Sequence, residues 1–134
     1  MIESLAAVTL LAPTYDEAVG SFRDVLGFKV RKDRDLGAGK RWVVVGAPGG
    51  GGATIVLAVP GDDTQRARVG DQTGGRVGCF LQTDDFEADY EKLKGRGVRF
   101  LEEPRQERYG RVVVFADPWG GRPAAALRSS LGSR

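Results

Sequence analysis

The chemistry open to this chain is defined first by a missing residue. Histidine occurs nowhere in its 134 residues, which removes the commonest metal ligand and the commonest general base. The single cysteine, Cys79, has no histidine to hold it as a thiolate, so it reads as a small buried apolar side chain. Proton transfer would fall to Tyr109, Arg111, Asp117 or Glu102-Glu103, and no two of these stand at a spacing that marks an acid–base pair. Asp84-Asp85 reads as helix-capping chemistry and Asp117 as the shaper of the Asp117-Pro118 turn.

Phosphate chemistry is no better supported. Gly39-Lys40 lacks the Ser or Thr after the lysine, and the upstream glycine, that a phosphate-binding loop requires. The run Gly49–Gly52 satisfies no dinucleotide-binding register and reads as a hairpin connection, as expected in a chain with 20 glycines. Arg105, Arg108 and Arg111 are interrupted by Glu107, so they read as a solvated face. Twenty Lys and Arg against eighteen Asp and Glu leave a net charge of +2, which gives no reason to expect nucleic acid or an anionic membrane as partner. No apolar run reaches the ~20 residues of a membrane span. One cysteine excludes an internal disulfide framework and fits a cytoplasmic protein.

The elements that must position these residues come in a repeat. Val8–Ala12 reads as a strand ended by Pro13, and Thr14-Tyr15-Asp16-Glu17 as a capping box. Ala18, Val19, Phe22, Val25 and Leu26 then form one apolar helical stripe, with Gly27 as its stop. Strands follow at Phe28–Arg34, Lys40–Ala47 and Thr54–Val59. The order recurs: strand at Gly78–Thr83, cap at Asp84 or Asp85, stripe Phe86, Tyr90 and Leu93, stop at Gly97, then a strand at Val98–Leu101. Residues 111–121, RVVVFADPWGG, repeat the pattern of residues 41–51, RWVVVGAPGGG, without a gap. The expected organisation is therefore a single domain over residues 1–134, with module one at about 5–60, a polar linker at 61–74 and module two at about 75–128. The class is α+β, built from two duplicated βαβββ modules.

Paired βαβββ modules, with Leu26-Gly27-Phe28 and the Phe115–Gly121 segment FADPWGG, resemble the vicinal oxygen chelate superfamily of glyoxalases, bleomycin resistance proteins and extradiol dioxygenases. The resemblance covers roughly residues 5 to 127 and implies curved mixed sheets that close around a cleft, commonly in a homodimer. Catalytic members hold a metal with donors on the first and last strand of each module. Carried over, the first-strand positions fall on Ala7 and Gly78, and the last-strand positions near Ala124 and within Thr54–Ala58. No Asp or Glu occurs in residues 47–61 or 118–134, so no metal and no other cofactor is expected. The chain also departs from relatives after its Asp-Pro turn, where Gly120-Gly121-Arg122-Pro123 is followed by three alanines; Pro123 predicts a last strand that is at an edge or irregular at its start.

If Ala7 and Gly78 face the cleft, alternation puts Thr9, Leu11, Phe80 and Gln82 there too, with Val8, Leu10, Cys79 and Leu81 beneath the helices. Trp42, Tyr109 and, less centrally, Trp119 are candidate stacking walls. The ligand-binding set is thus Thr9, Leu11, Trp42, Phe80, Gln82 and Tyr109. It implies a metal-free binding protein that encloses a small hydrophobic or aromatic compound, of the antibiotic- or xenobiotic-sequestering type. The basic balance suits a neutral or anionic ligand better than a polycation. The alternatives are a metal-independent lyase or isomerase on the same scaffold, or a dimer that acts through its outer surface.

Overall fold

The computed structural model of the chain describes residues 1–130. Two units separate, Met1–Val69 and the chain from Gly70 onward, each with its own four-stranded mixed sheet. This is the duplicated α+β arrangement of βαβββ modules that the repeat implies.

In the first unit, β1 (Ala7–Leu11) leads to a helix capped as the sequence requires. The Thr14 hydroxyl accepts the Glu17 amide at 3.1 Å and donates to the Glu17 carboxylate at 3.0 Å. The helix α1 (Tyr15–Val19) then widens into a π-helical stretch, Gly20–Val25, before Gly27 turns the chain at φ 77°. Ala18, Val19 and Phe22 are buried, and Phe22 meets Phe28 edge to face with ring centroids 5.4 Å apart. β2 (Lys29–Gly37), β3 (Lys40–Gly46) and β4 (Thr54–Ala58) complete a sheet of order β1-β4-β3-β2, in which only the β1–β4 pair is parallel. A single-turn helix, α2 (Asp63–Arg66), lies in the segment that follows.

The second unit repeats the order with β5 (Cys79–Gln82), α3 (Phe86–Gly95), β6 (Arg105–Glu107), β7 (Gly110–Ala116) and β8 (Pro123–Arg128), again with the first and last strands parallel and adjacent. Asp85 caps α3 by accepting the Ala88 amide at 3.2 Å, and Phe86, Tyr90 and Leu93 are the buried stripe. An aromatic series runs through this core, Phe86–Tyr90–Phe100–Phe115, with successive centroids 6.2, 4.7 and 6.0 Å apart. The core of the first unit holds the Phe22–Phe28 pair with Val43, Val45, Ile55 and Leu57. Each such side chain stabilises its unit by about 1.5–3 kcal/mol on burial.

Two expectations need correction and a third is resolved. Val98–Leu101 is not a strand. Phe100 forms an isolated bridge to Phe115, and Leu101 donates to the Val114 carbonyl at 3.0 Å. The reciprocal bond is lost because the Glu102 carboxylate takes the Val114 amide at 3.0 Å, and the chain re-pairs only at Arg105. Of the two alternatives for Pro123, the irregular start holds and the edge does not: β8 is interior, and its pairing skips Ala124 between Ala116–Pro123 and Phe115–Ala125. Val8 shares the helix-side face but stays 45% exposed, because β1 is the edge strand and α1 packs on β3 and β4.

Candidate functional site

Register decides which side chains share a face. In the first unit Val8 pairs with Ile55, Leu10 with Leu57, Val45 with Ile55 and Val43 with Leu57, so these residues lie on the helix side. Thr9, Leu11, Val56, Ala58, Val44 and Trp42 lie on the opposite face, and β2 adds Lys32 and Arg34 as partners of Val44 and Trp42. In the second unit Phe80 pairs with Ala126 and Gln82 with Arg128, opposite the face of Leu81, Leu127 and Val113. Val112 partners both Arg128 and Arg105 on that same opposite face.

On the helix side the two units carry the same polar device. Arg41 lies 5.3 Å from the Tyr15 ring centroid, donates to Asp16 at 2.8 Å, and grips both oxygens of Asp33 at 3.1 and 2.6 Å. The fork holds the Asp33 carboxyl below the usual carboxylate range and raises the already high pKa of Arg41, by hydrogen bonding above all. Arg111 lies 5.0 Å from the Phe86 centroid and pairs with Glu87 at 3.0 Å. Each arginine ties the start of a long strand to the first turn of its helix, so it is structural. Cys79 is half-buried beside these elements, and desolvation pushes its thiol pKa up, away from nucleophilic use.

The six residues expected from the sequence fall into two groups of three. Thr9, Leu11 and Trp42 share the helix-opposite face of the first unit, where Trp42 is 42% exposed. Phe80 and Gln82 share that face of the second unit, with Phe80 64% exposed. Tyr109 sits in the β6–β7 turn, 45% exposed, with the Arg128 guanidinium 4.9 Å from its ring centroid. Gln82 donates to the Ser130 hydroxyl at 2.8 Å. Trp119 belongs to a turn built by the Asp117 carboxylate, which accepts the amides of Trp119 and Gly120 at 2.7 and 3.2 Å. That turn presses on Gly70, where a β-carbon would fall 2.6 Å from the Gly120 nitrogen. The sequence argument missed Arg128; the signal was the parity of Gln82, but only the β5–β8 register shows that Arg128 stands beside it.

The positions that would hold a family metal are neighbours within each unit. Ala7 is the register partner of Thr54, and the Gly78 amide donates to the Ala124 carbonyl at 2.9 Å. Their donor set does not fit a cation: Ala7, Gly78 and Ala124 have no side-chain donor atom, and the Thr54 hydroxyl is given to the Ala6 carbonyl at 3.1 Å. Among the described residues no group of three or more His, Cys, Asp or Glu could hold a metal ion. A wide, open pocket of about 580 Å3 lies elsewhere in the first unit, lined by Pro13, Tyr15, Val59, Pro60, Arg66 and Val69 among others, and it includes none of the six expected residues. Among the described residues no helix is long and apolar enough to cross a membrane.

Comparison with known proteins agrees with this architecture. An uncharacterized protein of Shewanella frigidimarina (strain NCIMB 400) is 38% identical over 121 residues, which is 90% of each chain. The crystal structure of UcmS2 superimposes with a TM-score of 0.80 at 28% identity, covering 96% of this chain and 98% of that one. TnmS3, described as an antibiotic binding protein from Streptomyces sp. CB03234, superimposes with a TM-score of 0.74 at 27% identity over 96% of this chain and 97% of its own. Residues 4–122 match the Glyoxalase/Bleomycin resistance protein/Dioxygenase superfamily, and the chain belongs to that superfamily.

Proposed function

We propose that this protein binds a small hydrophobic or aromatic compound against the helix-opposite faces of its sheets, without a metal and without converting it. The observation that carries this reading is the exposure of Trp42 and Phe80 there and of Tyr109 in the β6–β7 turn, while Phe22, Phe28, Phe86, Tyr90 and Phe115 are buried. Exposed aromatics on a sheet face, beside hydrogen-bonding groups such as Thr9 and Gln82, are the makings of a small-molecule site. The described relative TnmS3, an antibiotic binding protein, supports a sequestering role.

Three of the groups that an enzyme could use are engaged elsewhere. Glu102 is held by the Val114 amide and Arg105, Asp117 by its own turn, and Arg111 by Glu87. A cytoplasmic setting fits the lone cysteine. A homodimer is part of the proposal, because the leading segment exposes Met1, Ile2 and Leu5 beside the unpaired edge of β1, an apolar border that a second copy would cover. Light scattering should give twice the 14.4 kDa chain mass.

The test is a screen of aromatic compounds by quenching of tryptophan fluorescence, followed by mass spectrometry of the recovered compound. Recovery unchanged is the expected outcome. Recovery of a product would replace binding with catalysis, and an absence of quenching by any planar aromatic would remove the reading.

A further inference from the structure

We infer that the compound bound at the second unit carries a carboxylate on a planar aromatic frame, and that Arg128 is the residue that reads it. The inference rests on the binding role proposed above and adds the chemical class of the ligand.

The strand arginines of this unit have different surroundings. Arg111 faces the helix and pairs with Glu87; Arg105 pairs with Glu102 and Glu107. Arg128 stands on the opposite face between Gln82 and Val112, and among the described residues it forms no ion pair with a carboxylate. Its Nε, like that of Arg111, is buried and meets no acceptor among those residues, so what sets Arg128 apart is the lack of a paired carboxylate. A guanidinium stays charged at any working pH, so a donor fork without a paired carboxylate is suited to receive an anionic oxygen of a ligand. Tyr109 holds the guanidinium by one flat face, leaving the donor edge for a ligand.

The surroundings suit a flat ring attached to that anion. Phe80, two residues from Gln82 on the same face, is exposed, and its register partner is the small residue Ala126. Gly78 and Ala124 continue the line, and the Gly78 amide donates to Ala124 across the β5–β8 pair. Ala126 is itself covered, so the surface offered to a flat ring is the exposed Phe80 side chain, with Arg128 two residues beyond Ala126 on the same face. The first unit differs at the positions of Gln82 and Arg128, where Leu11 and Ala58 are partners and offer no anion contact.

The test compares anthracene-2-carboxylate with the neutral anthracene-2-carboxamide by titration calorimetry, on the parent protein and on Arg128→Gln. The parent should bind the carboxylate about tenfold more tightly, as expected for one charge-assisted contact. That preference should shrink as salt is raised from 50 to 500 mM. Arg128→Gln should bind both compounds with the carboxamide's affinity, while Arg23→Gln, on the exposed helical segment, should keep the parent's preference. The salt dependence of the parent's preference needs no variant, and Arg128→Lys should keep part of the preference if Arg128→Gln folds poorly. Equal binding of the two compounds to the parent, or a preference that survives in Arg128→Gln, would overturn the inference while the binding role stands. Failure of both compounds to bind would overturn the two together.

Discussion

The two units agree on one side of their sheets and disagree on the other. On the helix side each carries an arginine at the start of its long strand, stacked on the aromatic first residue of the helix and paired to the acid that follows: Arg41 with Tyr15 and Asp16, Arg111 with Phe86 and Glu87. On the opposite side the equivalent rows read Leu11, Ala58, Trp42 and Arg34 in the first unit, and Gln82, Arg128, Val112 and Arg105 in the second. The first row sets an indole between Ala58 and Arg34; the second sets a guanidinium between Gln82 and Val112. Two sheets of the same order thus present different chemistry where no helix covers them. The lesson is that the shared features belong to folding, and the divergent rows are where a ligand would be distinguished.

The largest expected difference lies in the hairpins that start the long strands. Gly110 has φ 140°, and a β-carbon there would fall 1.9 Å from the Ser129 carbonyl oxygen. Lys40 holds the equivalent place in the first unit with ordinary backbone and an exposed side chain. Gly110→Ala should cost at least about 3 kcal/mol in urea denaturation, and Lys40→Ala less than about 0.5 kcal/mol. Equal costs would show that the two hairpins are not held differently.

Much of the fold was legible because its signals are local. The Thr14 and Asp85 caps, the apolar stripes and the stops at Gly27 and Gly97 depend on neighbours within one or two helical turns. Alternation along β5 likewise separated Phe80 and Gln82 from Cys79 and Leu81 without reference to any other strand. What failed depended on partners far along the chain. Val98–Leu101 has a strand's composition, but a side chain, Glu102, occupies the amide that its pairing needs. Arg128 gained meaning only from the parallel register of β5 with β8, which no periodicity encodes.

Binding should discriminate the two faces next. Phe80→Ala and Tyr109→Ala in the second unit should each weaken calorimetric binding of anthracene-2-carboxamide about thirtyfold, the scale of ~2 kcal/mol for truncating a buried aromatic contact, whereas Trp42→Ala should do so only for a compound held by the first unit. Trp119→Ala should have a smaller effect, since its turn is organised by Asp117. Loss confined to Phe80 and Tyr109 would assign the ligand to the second unit alone.

A smaller contrast should appear on the helix side. Arg41 is the more buried arginine and holds two acids, whereas Arg111 holds one. Arg41→Met should cost about 1–2 kcal/mol and Arg111→Met about 1 kcal/mol or less, since exposed ion pairs and cation–π contacts contribute a fraction of a kcal/mol to about 1 kcal/mol each. Identical losses by thermal or urea unfolding would show that Asp33 contributes nothing.

That last contribution can be isolated by pH, and it is the smallest effect expected. Asp33 grips Arg41 in the first unit, whereas Pro104, with no side-chain acceptor, stands at the corresponding place in the second. The fork lowers the Asp33 pKa in the folded state, hydrogen bonding to Arg41 being the main cause. A carboxyl depressed by folding adds stability that is complete above its unfolded value of about 3.9 and is lost as pH falls through the folded value. The stability difference between the parent and Asp33→Asn should therefore be flat from pH 7 to about 5 and should diminish below about pH 4. Because the Asp33 side chain is 37% exposed, the difference at pH 7 should stay below about 1 kcal/mol and decline with added salt. Urea midpoints for the two proteins at pH 7, 5 and 3.5 measure it directly. A gap that widens on acidification would reverse the sign and place the stabilising charge elsewhere.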